Sequence, residues 1–152
     1  MTKLTIIFFL TIFTDFETSL EQNACDYFFV NVFKNNHPDY NAIEFDDQTD
    51  TTKYLGIVYK CENWNEKTKE QIVSTIPDKS TRVSANTQDV RVKKSAKNSG
   101  KLNIRVWSKI KVGDNYFVLI GAYRKLRFAE YFLFELNGEG KVIEVCKQGE
   151  II

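Results

Sequence analysis

The chain has one histidine, His37, in the run Asn35-Asn36-His37-Pro38-Asp39. Proline fixes φ and asparagine tolerates left-handed backbone, so this is turn chemistry, and a turn histidine reads as solvated rather than functional. With a single imidazole, any triad or Cys–His pair must bring His37 to Cys25, Cys61 or Cys146 in space. The cysteines lie 36 and 85 residues apart and match no zinc spacing; they read as small core residues, or as one disulfide plus a third thiol. Glu44, Asp46, Asp47 and Asp50 gather four carboxylates. They lack the alternating Asp/Asn pattern and closing Glu of a calcium loop, so they read as a solvated acidic loop. No glycine-rich phosphate loop is present, no metal or cofactor is expected, and the residues favour a non-catalytic domain over an enzyme.

A second group carries binding chemistry. Arg105, Trp107, Lys109 and Lys111 alternate with Ile104, Val106, Ile110 and Val112, placing charge and an indole on the wet face of one strand. Single-stranded nucleic-acid binders use this composition, but a net charge of +1 and a pI near 7.6 argue against nucleic acid. Arg105, Trp107, Lys109, Lys111 and Tyr123 are instead candidate contacts for a protein or small ligand. Charge is segregated along the chain. Residues 15–50 hold nine carboxylates against Lys34, and residues 79–111 hold ten cations against Asp89. Mutual neutralisation within the fold is the plain reading; an anionic partner for the basic stretch is the sharper one.

The elements that must position these residues are clearest in the last third. Residues 101–146 alternate strand patterns with the turns Gly113-Asp114-Asn115 and Asn137-Gly138-Glu139-Gly140, which predicts a four-stranded antiparallel meander. Tyr116–Tyr123 is apolar on both faces, as a central covered strand requires. Upstream, Ala24–Lys34 leans to a buried helix on Ala24, Phe28 and Val32. Asn65 can cap a second helix whose stripe is Ile72, Val73 and Ile76 before Pro77. Tyr54–Cys61 reads as a further strand, with Gly56 marking a bulge. Residues 78–100 read as a long connection with one short element. The expectation is a single α+β domain over 21–152, its sheet packed on one or two helices.

Met1-Thr2-Lys3 followed by the apolar Leu4–Phe13 reads as a signal peptide over residues 1–20, too short to span a bilayer. The alternative is a buried first strand of a cytoplasmic domain. After such a leader, the run WSKIKVGDNYFVLIGAYRKLRFAEYFLFELNGEGKVIEVC (107–146) resembles the C-terminal meander of small exported bacterial proteins of unknown function. The resemblance implies export to the periplasm or medium and brings no active-site residues. The functional expectation is an exported binding domain. A small exported hydrolase and an intracellular neutralising partner of the immunity type are the alternatives.

Overall fold

A computed structural model of the chain describes residues 18–54, 56–88, 90–94, 102–124 and 128–151. The leader expected over residues 1–20 lies outside them except for its last three residues. Ser19 caps α1 (Leu20–Tyr27), its side chain accepting from the Gln22 N–H at 3.1 Å. The helix then runs without a break through a π-helical stretch, Phe28–Phe33, into a closing turn, α2 (Lys34–Asn36).

The π stretch has a sequence reason. Continuing an α period from Ala24 and Phe28 would aim Asn31 and Asn35 at the core. A wider turn instead moves both asparagines outward, where each bonds the carbonyl four residues back, and brings Phe33 and His37 onto the buried face.

The fold is α+β, with a mostly antiparallel open sheet. Its strands are β1 (Ala42–Phe45), β2 (Arg91–Lys94), β3 (Leu102–Val106), β4 (Ile110–Val112), β5 (Asn115–Arg124), β6 (Phe128–Leu136) and β7 (Val142–Ile151). The sheet order is β2-β1-β3-β5-β6-β7, with β4 also on β5. The meander is present, and two further strands extend it: β1 pairs in parallel with both β2 and β3. Glu44 and Phe45 of the expected acidic loop are therefore strand residues and buried, while Asp46 and Asp47 remain outside the core.

A parallel β1–β2 pair requires a crossover, and that connection supplies the cover for the second face of the sheet. It contains a 3₁₀ helix, Gly56–Lys60, and α3 (Glu66–Ser74). The strand expected at Tyr54–Cys61 is thus helical. Tyr54, Ile57, Val58 and Cys61 all face the sheet, and their spacing is the i, i+3, i+4, i+7 of a helix face. Its β-branched content suggested a strand, but the period decides. Asn65 caps α3 as expected, accepting from the Thr68 N–H at 2.9 Å. The helix stops at Ser74, because the residue before Pro77 avoids helical backbone, so Ile72 is buried while Ile76 is 73% exposed and outside the stripe.

Two hydrophobic cores result, one on each face. Phe28, Phe29 and Phe33 pack on Ile104, Val118, Ile120, Phe132 and Phe134. Tyr54, Ile57, Trp64 and Ile72 pack on the opposite face against Phe117, Leu119, Tyr131 and Leu133. β5 is covered on both sides, as its composition required, and burying each such ring is worth roughly 1.5–3 kcal/mol. A disulfide between Cys61 and Cys146 ties the crossover to β7, and Cys25 is a buried free thiol.

The strand expected over 104–112 is interrupted. Val106 pairs with Ile120 and Ile110 with Phe117, so Trp107, Ser108 and Lys109 stand opposite only Val118 and Leu119. One extra residue exchanges the faces. Ile104 and Val106 enter the helix-side core, whereas Ile110 joins Trp107 in the other. Asp50 fills the gap: its N–H donates to the Val106 carbonyl and its own carbonyl accepts from the Ser108 N–H, both at 2.8 Å. Among the described residues of 78–100 one short strand, β2, is present; residues 89 and 95–100 lie outside the described set.

Candidate functional site

The slip at Trp107–Lys109 divides the expected row of binding residues. Arg105 and Trp107 remain on one face with Tyr123, but Lys109 turns toward α1, with its ammonium 3.6 Å from Glu21 and 3.3 Å from Asp78. Lys111 lies over the Tyr116 ring instead. Trp107 is 3% exposed rather than on a wet face, and its indole N–H donates to Thr52 Oγ1 at 3.1 Å. Around it, Tyr131 meets both the Trp107 and Tyr123 rings edge-on, and Arg105 spans the Tyr123 ring to reach Asp50 at 3.6 Å. Burial, then the hydrogen bond with Tyr131, pushes the Tyr123 phenol well above its ordinary range. These are paired groups packed over Gly121, where an added Cβ would lie 3.0 Å from Tyr123 and 3.1 Å from Trp107.

The two segments of opposite charge meet at three ion pairs among the described residues. Glu21, Asp47 and Asp50 of the acidic segment meet Lys109, Arg82 and Arg105 of the basic one. These surface and edge pairs contribute little each.

On the opposite face lies a cluster that the turn reading of His37 missed. His37 is 1% exposed, held on the sheet by the π stretch and by its own N–H donating to the Phe33 carbonyl at 2.8 Å. Arg124 Nη2 lies 3.1 Å from His37 Nδ1 and 3.3 Å from Glu130 Oε2, and donates to the Asn36 carbonyl at 3.2 Å. Lys147 bonds Glu130 Oε1 at 2.9 Å and also donates to Asn36 Oδ1. Tyr40 and Phe128 each offer a ring to the Arg124 guanidinium. Arg124, Glu130 and Lys147 come from β5, β6 and β7, whose register brings them to one end of the sheet.

The protonation of His37 follows from its partner. A guanidinium only donates, so Nδ1 accepts and the ring proton sits on Nε2. Burial lowers the pKa of His37 to about 4, with Glu130 opposing the shift and Arg124 and Lys147 adding to it. The ring is neutral at pH 7. Its Nε2–H is 3.4 Å from Glu130 Oε2 and makes no hydrogen bond, and Arg124 Nε is likewise buried without one. Beside the ring is a cavity of about 300 Å³ lined by Phe33, Lys34, His37, Pro38, Tyr40 and Val90.

The spacing Phe29, Phe33, His37 was the available signal: three ring-bearing residues four apart across the end of a helix. Cys25 does not join this site as a nucleophile, since burial, and then Asp26, push its thiol far above the ordinary range. Among the described residues no group of His, Cys, Asp and Glu could hold a metal ion, and no helix is long and apolar enough to cross a membrane. Compared with known proteins, the chain matches no family model, and no curated protein or solved structure matches it.

Proposed function

We propose that this protein is an exported, non-catalytic domain that binds a small molecule in the cavity beside His37. The observation that carries the reading is the cavity itself: about 300 Å³ walled by Phe33, Pro38, Tyr40 and Val90, with His37 and Lys34 at its edge. A concave, mostly apolar space with a few polar groups at its rim is the usual form of a small-molecule site. The bond from Arg124 weighs against His37 as a general base, because a ring with its lone pair occupied has nothing with which to take a proton. Export is supported by the leader-like residues 1–20 and by a disulfide of the kind that persists in oxidising compartments.

A thermal-shift screen of small molecules on the native chain and on Val90→Phe, which fills the cavity, tests the site. Hits that stabilise the native protein and leave Val90→Phe unmoved are expected. A screen whose hits act equally on both would overturn it. Mass spectrometry of the protein purified from its source tests export, which an N-terminus at Met1 or Thr2 would refute.

A further inference from the structure

Resting on that cavity reading, we propose that the ligand is an uncharged aromatic molecule of bicyclic size. The lining offers no group to an ion. His37 Nε2 is buried and turned to Glu130 Oε2 at 3.4 Å, away from the open space. Lys34 already has an interaction of its own. Arg124 and Lys147 stand outside the lining, drawn to the carboxylate of Glu130 at 3.3 and 2.9 Å. A carboxylate or an ammonium entering here would give up its water without gaining a counter-charge, a loss that an uncharged molecule escapes. The walls then favour a flat ring system. Phe33, His37 and Tyr40 bring three rings to the cavity, with His37 5.4 Å from Phe33 and 6.2 Å from Tyr40 between centroids, and Pro38 and Val90 add aliphatic surface. A wall of rings holds a further aromatic ring better than a saturated body of the same skeleton, because ring faces and ring edges carry opposite partial charge. A volume of about 300 Å³ admits two fused rings with a short substituent and excludes a folded partner.

Calorimetric titration with 2-naphthylmethanol, 2-naphthoate and 2-naphthylmethylammonium tests the class, since one ring system then carries no charge, a negative charge or a positive charge. The alcohol is expected to bind at least about tenfold more tightly than either ion, and about threefold more tightly than its saturated decahydro counterpart. Tyr40→Leu keeps an apolar wall and removes one ring. There the preference for the aromatic over the decahydro alcohol should shrink, while the preference over the ions should stay. An ion that binds as well as the alcohol overturns the exclusion of charge, and a decahydro alcohol that binds as well overturns the aromatic assignment; both results leave the cavity standing. If no naphthyl compound binds while other hits of the thermal-shift screen are lost in Val90→Phe, the ligand class is wrong and the cavity again stands. If every hit acts undiminished on Val90→Phe, the cavity reading fails with it.

Discussion

Tyr123 and Arg124 are neighbours in β5, yet they serve two assemblies that solve opposite problems. Tyr123 faces the crossover layer, where Arg105 has Asp50, Trp107 has Thr52 and the two tyrosines have each other. Arg124 faces the helix layer, where three charged side chains and a neutral histidine are drawn together and two buried nitrogens are left without a bond. The first assembly is a satisfied packing device; the second concentrates charge around a neutral buried ring. Aromatic and basic composition marks the first in the sequence, whereas the second is set apart by the cavity that adjoins it.

The comparison can be broken most forcefully at the crossover face. Replacing Cys61 and Cys146 by Ala removes a cross-link spanning 85 residues and should cost about 4–5 kcal/mol in a urea melt, since the unfolded chain regains that loop's freedom. The His37 face has a different signature, which is pH. Its folded pKa lies below the unfolded value, so the stability it contributes is complete above about pH 6.5. That stability falls as pH drops toward 4, by on the order of 3 kcal/mol in total. In His37→Asn this segment of the stability–pH curve should flatten. Glu130→Gln leaves Arg124 and Lys147 facing each other and should cost about 2 kcal/mol, moderated because both cations reach solvent.

Smaller effects sharpen the contrast. Gly121→Ala forces a methyl against two packed rings and should destabilise by about 1 kcal/mol. Arg105→Ala removes a half-exposed pair and should cost under about 1 kcal/mol, leaving ligand binding on the other face untouched.

Much of the sheet was legible in the sequence because period-two alternation and glycine turns are local signals. Gly113 and Gly140 adopt the positive φ that those turns need. What was not legible depended on single-residue shifts. One extra residue at Trp107–Lys109 turns a wet basic row into a buried indole and a lysine that pairs with a helix. One wider turn at Phe28–Phe33 carries His37 from solvent to the core. Both shifts are settled by tertiary packing, where the residues that would otherwise be buried are asparagines or a lysine. The 3₁₀ segment is a different case: Tyr54, Ile57, Val58 and Cys61 had helical spacing in plain view, and β-branched content outweighed it.

The central claim is that His37 is a buried neutral ring beside a ligand cavity, and nitrogen NMR of that ring tests this most directly. At pH 7 the ring should be neutral with its proton on Nε2, should remain so down to about pH 4, and should shift when a molecule found in the thermal-shift screen fills the cavity. A ring that titrates near its ordinary value of about 6.5 and ignores every such molecule would contradict the account.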